Sequence, residues 1–229
     1  MKRKIIGNPG ATNERMKRMV RAVRIDESTL TEHGADFRER VIAECQPGWR
    51  VLDCGKAMRE YSDALAAKVS EHEILDIEDF DNNPDIIADL CEPISDPELK
   101  ERYDAVVCIA VLEHCYDPLS VCRNLHYMLK PGGTLFGYVP WMFQYHAADN
   151  LDFQDYWRFS KDALAYAFRD WEALTLFPKR GGPSAALNLL VPFWKSHVER
   201  YGVNRYIDGL VSQRRNVRQA SGYHFIAVK

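Results

Sequence analysis

The stretch YDAVVCIAVLEHCYDPLSVCRNLHYMLKPGGTLFGYVP, residues 103–140, reads as two strands joined by a helix. Its first part, YDAVVCIAVL (103–112), is a continuous apolar run, the pattern of a strand covered on both faces. Asp117 and Pro118 then supply an N-cap acid and a proline at the first helical position. Val121, Leu125, Met128 and Leu129 form one apolar stripe, and KPGG (130–133) ends the helix. TLFGYVP (134–140) predicts the next strand. Parallel neighbours need a crossover of this kind.

The same rhythm extends both ways. Upstream, DFRERVIAEC (36–45) predicts a helix, and WRVLDCG (49–55) a short strand running into a turn. YSDALAAKVS (61–70) predicts a helix, HEILDI (72–77) and PDIIADL (84–90) two further strands. Downstream, Ser160 caps a helix over 161–168, and WEALTLF (171–177) reads as a strand. A helix is expected around 185–200, and GYHFIAV (222–228) closes the chain as a strand. Alternating elements of this length predict an α/β fold, a doubly wound and mainly parallel sheet with helices on both faces. We expect a single domain over 1–229, with an N-terminal arm (1–44), a cofactor-binding half (45–140), substrate-side segments (141–221) and the closing strand (222–229).

Composition excludes several function classes. Apolar residues make up 46% and charged residues 28% of 229, an ordinary globular balance. The net charge of −3 gives no field that would draw nucleic acid, so no such partner is expected. Basic residues do crowd the first 25 positions, which reads as a solvated arm. That basic start is not followed by an apolar core of the secretory type. AALNLLVPFW (185–194) is too short to span a bilayer and contains Pro192, so no membrane association is expected and the compartment is taken as cytoplasmic. Six cysteines without a CxxC pair read as small buried hydrophobes rather than a disulfide or metal framework.

In an open α/β sheet, ligands sit beyond the carboxyl ends of the strands. Asp53, Gly55, Asp76, Asp89 and the segment 110–114 fall at such ends. Asp76 follows Gly55 at about the 20-residue spacing at which an acid reaches a ribose. The turn itself, VLDCGKAMREYSD (51–63), offers one glycine, with Ala57 and Arg59 where a phosphate-binding loop places two more. That is a poor pyrophosphate cradle. It suits a nucleoside ligand with an amino-acid tail, whose carboxylate a guanidinium such as Arg59 can take in bidentate fashion. A nicotinamide enzyme would need the missing glycines, and no Tyr-x-x-x-Lys pair occurs.

Across roughly 40–178 and the last strand, the chain resembles class I S-adenosylmethionine-dependent methyltransferases. The resemblance lies in VLDCG, LDIEDFDNNPDIIADL, the V-L-E-H, D-P and L-K-P-G-G sequence of 111–133, and His146 followed by DYWRFS (155–160), which resembles a branch acting on glycans and small molecules. It implies a Rossmann-like seven-stranded sheet of order 3-2-1-4-5-7-6 with the last strand antiparallel. It also implies S-adenosyl-L-methionine as cofactor, whose in-line methyl transfer is expected to need no metal. Asp53 and Gly55 would then lie at the methionine end, Asp76 on the ribose and Asp89 beside the adenine, with Ile109 and Ala110 beneath the cofactor. The chain departs from the family at Ala57 and Arg59, where glycines normally stand.

Methyl transfer from a sulfonium is an in-line displacement, and a base matters only where the acceptor must lose a proton. His146, oriented by an acid such as Asp155, is the candidate base. His114, in a triplet common to relatives with many substrates, is expected to shape its loop. Trp141, Phe143, Tyr145, Tyr156 and Trp157 offer flat faces for a sugar or aromatic acceptor. The expected activity is methyl transfer to an O or N atom of a small molecule or saccharide, in a protein that could self-associate. The alternative is a non-catalytic S-adenosylmethionine-binding or partner subunit with a degenerate glycine turn.

Overall fold

The computed structural model describes residues 8–27, 36–80, 83–150, 152–190 and 203–229. Eight strands form one sheet: β1 (Arg24–Ile25), β2 (Arg50–Cys54), β3 (Glu71–Asp76), β4 (Ile86–Ile87), β5 (Tyr103–Ile109), β6 (Leu129–Pro140), β7 (Ala173–Lys179) and β8 (Gly222–Val228). Their spatial order is β4-β3-β2-β5-β6-β8-β7-β1. All pairs are parallel except those of β8, which runs antiparallel between β6 and β7. Seven strands thus take the expected order. The eighth, β1, adds an edge beyond it and is too short for periodicity to reveal.

Helices cover both faces: α1 (Pro9–Ala22), α2 (Phe37–Glu44), α3 (Ser62–Ala66), α4 (Pro118–Met128), α5 (Lys161–Ala167), α6 (Gly182–Leu190), α7 (Val203–Asp208) and α8 (Gln213–Arg218). β5 feeds both layers. Val106 and Cys108 join the α4 side with Leu52, Leu125 and Phe225. Ala105, Val107 and Ile109 join the α2 side with Val41, Val51 and Phe136. Such double burial is what the unbroken apolar run requires, at about 1.5–3 kcal/mol for each large side chain. Asp117 Oδ1 accepts from the amides of Leu119 and Ser120, 3.1 Å each, which fixes where α4 starts. Gly137 is obligatory in β6, since a Cβ there would stand 2.1 Å from the Phe225 ring.

Three expectations need correction. The helix expected over 61–70 stops at Ala66, because the amides of Ala67, Lys68 and Val69 fold back onto Asp63 and Leu65 in a tight turn. The strand expected over 84–90 shrinks to Ile86–Ile87, an edge pairing with Leu75 and Asp76. The helix around 185–200 begins earlier, at Gly182, and its second half lies outside the described residues. The six cysteines are free and five are buried. No described helix is long and apolar enough to cross a membrane.

Candidate active site

Two turns at the carboxyl ends of adjacent strands β2 and β5 define the site. In the first, Asp53 is completely buried and accepts from the amides of Ala57, 2.7 Å, and Met58, 3.1 Å. Its carboxylate therefore holds the turn from beneath rather than lining an open cleft. Ala57 and Met58 pack into the core below it. Gly55 is exposed with φ +67°, and a Cβ there would press on Val111 at 3.1 Å. Lys56 and Arg59 keep left-handed backbones, φ 47° and 48°, without glycine's freedom. The glycine-like path of the turn survives although the glycines do not. Arg59 is exposed beside it.

Asp76 ends β3, half-buried, with Oδ1 accepting from the Ile77 amide at 2.8 Å. Asp89 accepts from the Cys91 amide, 2.8 Å, and from the Tyr116 hydroxyl, 3.2 Å. Ile109 ends β5, and Ala110 turns away with φ 57° while its amide donates to the Tyr138 carbonyl at 3.0 Å. These groups follow one another along the strand ends β4, β3, β2 and β5.

The second turn is a single 3-10 turn over Leu112–His114, leading directly from β5. It places Glu113 in the interior, 1% exposed, and His114 at its rim. The Glu113 carbonyl accepts from the amides of Tyr156, 2.8 Å, and Trp157, 3.2 Å, which folds the DYWRF segment over the turn. β6 runs beside β5, so the segment after it returns to the same place. There His146 meets the pair: its Nδ1 lies 3.1 Å from Asp155 Oδ2 and its Nε2 lies 3.8 Å from Glu113 Oε1. The His146 amide also donates to Asp155 Oδ2, 2.8 Å.

Arg158 completes the arrangement. It grips both oxygens of Asp155 at 2.5 and 2.6 Å and donates to the carbonyls of Phe143 and Gln144. Burial works to raise the Asp155 pKa, but the Arg158 and His146 donors outweigh it and bring the carboxyl down to about 2. The Glu113 carboxylate raises the His146 pKa above its ordinary value, against the opposing effect of burial. Glu113 was not among the residues singled out in the sequence. No local signal distinguishes it within its triplet, and only packing reveals that the acid points inward.

Around this cluster Tyr145, Phe153, Tyr156 and Trp157 stand exposed. Beyond them an open cavity of about 740 Å³ is lined by Met142, Gly182, Arg214, Arg215 and Arg218, among others. A family model for the methyltransferase domain matches residues 27–175. The chain belongs to that family. It is an S-adenosylmethionine-dependent methyltransferase, with S-adenosyl-L-methionine as cofactor.

Other comparisons place the methyltransferase less closely. It is 51% identical over 39 residues to a ubiquinone biosynthesis O-methyltransferase of Pseudomonas syringae pv. tomato, a match covering 17% of each chain. Among solved structures it is similar to a chain of the complex between the Haloferax volcanii Trm112 methyltransferase activator and a methyltransferase. That likeness has a TM-score of 0.56 at 17% identity and covers 95% of this chain and 94% of the other. An S-adenosylmethionine-dependent methyltransferase from Mesorhizobium loti gives a TM-score of 0.51 at 13% identity, over 83% and 95%. At such identities the structures speak for the fold. The strand ends fit the cofactor's chemistry: a bare Cα at Gly55 permits close approach, and Asp76 brings a carboxylate for hydroxyl groups.

Proposed function

We propose that this methyltransferase transfers its methyl group to an oxygen or nitrogen of a small-molecule or saccharide acceptor. The transfer would take place where the turn after β5 meets the segment after β6. The observation that carries this reading is the position of His146, edge-on to Phe143 at 5.3 Å in a segment with exposed aromatic residues, and 3.1 Å from Asp155 through Nδ1. In that role His146 removes the acceptor's proton, and Asp155 with Arg158 sets its orientation. The acceptor's O–H or N–H bond breaks as its bond to the methyl carbon forms, and the carbon–sulfur bond breaks to leave the neutral thioether. Asp76 binds the ribose, Asp89 lies beside the adenine, and Ile109 and Ala110 pass beneath. Gly55 and Arg59 meet the amino-acid tail, on a turn that Asp53 holds in shape.

Flat rings favour a sugar or aromatic acceptor. Arg214, Arg215 and Arg218 at the neighbouring cavity suit an acceptor that carries phosphate or carboxylate, such as a nucleotide sugar. The test is a transfer assay with labelled cofactor against nucleotide sugars, free saccharides and small phenols. A labelled product from one of these classes, lost in His146→Ala with cofactor affinity intact, supports the reading. Full turnover in His146→Ala removes that residue from the mechanism.

A further inference from the structure

Glu113 poses a problem of charge. Its carboxylate is 1% exposed, and neither oxygen has a hydrogen-bond partner among the described residues. Facing Oε1 are two imidazole nitrogens, Nε2 of His114 at 3.9 Å and Nε2 of His146 at 3.8 Å, both too far for a hydrogen bond.

The other ring nitrogens decide what these two carry. His114 Nδ1 lies 2.5 Å from the Gln154 carbonyl oxygen. His146 Nδ1 lies 3.2 Å from the Gln144 carbonyl and 3.1 Å from Asp155. Carbonyl and carboxylate oxygens only accept, which favours a proton on each Nδ1 over the single, longer approach of the donor Arg158 Nη2 to His146 Nδ1 at 3.5 Å. With Nδ1 protonated, each neutral ring presents a lone pair at Nε2. Two lone pairs and a buried anion thus converge, with all three ligand atoms within 4.8 Å of one another. The guanidinium of Arg158 acts on Glu113 through its charge but gives it no hydrogen bond, because its N–H groups go to Asp155, to backbone carbonyls and toward His146 Nδ1.

We propose that Glu113, His114 and His146 bind one divalent metal cation. Two imidazole nitrogens and a carboxylate oxygen suit a first-row divalent ion such as Mn²⁺ or Zn²⁺. The Gln154 carbonyl and Asp155 act as outer partners that fix each ring's tautomer and direction. Three protein ligands leave coordination positions for water or an acceptor oxygen. The cation's role rests on the proposed methyl transfer: a coordinated hydroxyl becomes more acidic and releases its proton to solvent before the oxygen takes the methyl group. In the loaded state His146 holds the cation, and the proton-removing role proposed for it belongs to the metal-free enzyme.

The test needs neither cofactor nor acceptor, so its outcome is separate from that of the transfer assay. The full chain, freed of metal with a chelator and desalted, is titrated with MnCl₂ while free Mn²⁺ is followed by electron paramagnetic resonance. One equivalent should bind saturably. Glu113→Gln and His114→Asn should each weaken binding at least about tenfold, with His126→Asn on α4 as an unaffected control. His114 sits at the rim of the turn, so His114→Asn carries the decision if Glu113→Gln folds poorly. Absence of saturable binding, or equal affinity in a folded ligand variant, overturns the site and leaves a proton on His146 as the bridge to Glu113.

Discussion

Asp53 and Glu113 are both buried acids near the carboxyl ends of adjacent parallel strands, Asp53 in the last residues of β2 and Glu113 in the turn after β5, yet their surroundings are opposite. Asp53 receives two backbone amides within 3.1 Å, and His72 stands 3.5 Å away. The Glu113 carboxylate receives no hydrogen bond from any described residue. A satisfied buried carboxylate organises backbone, whereas an unsatisfied one raises the energy of the fold unless a cation joins it. The contrast divides the site: the β2 turn is pre-shaped by its own acid, whereas the acid of the β5 turn is left for the proposed cation to satisfy.

The largest effect should follow from breaking the satisfied acid. Asp53→Ala strands two buried amides and collapses the turn, with an expected loss of about 3–5 kcal/mol in denaturant unfolding. A loss under about 1 kcal/mol would show that the turn holds its shape without it. Asp155→Asn comes next. It weakens a buried ion pair with Arg158 and loosens His146, for about 2–4 kcal/mol by the same measurement. Glu113→Gln should behave in the opposite sense. In metal-free buffer it removes a buried charge that no hydrogen bond satisfies and should raise stability by about 1–2 kcal/mol. A clear destabilisation there would erase the distinction between the two acids.

How much of this was legible in the sequence depended on the range of the forces involved. The β5–α4–β6 crossover was readable because an unbroken apolar run, an Asp-Pro cap and a Lys-Pro-Gly-Gly stop are local signals. PDIIADL looked equally apolar, but Ile87 is exposed at the sheet edge, and edge pairing leaves no mark in a pattern. His146 and Asp155 lie nine residues apart, so their pairing fell within reach of sequence reasoning. Glu113 did not. Its burial depends on Tyr156 and Trp157 bonding to its carbonyl from more than forty residues away. The left-handed backbone at Arg59 was equally hidden, since arginine gives no hint of a positive φ.

A third ionisable group gives the comparison its smallest and most easily measured edge. His224 on β8 lies between the rings of Phe37, at 4.4 Å, and Tyr138, at 4.7 Å. Burial pushes its pKa well below the ordinary histidine value, and the charges of Lys179 and Arg38 push the same way. Its Nδ1 is buried with no hydrogen-bond partner among the described residues, an unsatisfied polar atom like those of the Glu113 carboxylate, but the ring stays neutral. The unfolded chain takes up a proton near pH 6.5, and the folded chain does not until much lower pH. Stability from this group is therefore complete above pH 6.5 and declines as the pH falls, by up to about 1 kcal/mol per unit. His224→Phe keeps a ring between the same neighbours and removes the proton site. Unfolding free energies at pH 7.5 and 5.5 should accordingly differ less in the variant than in the native chain. An identical difference in both proteins would assign the acid sensitivity to other groups.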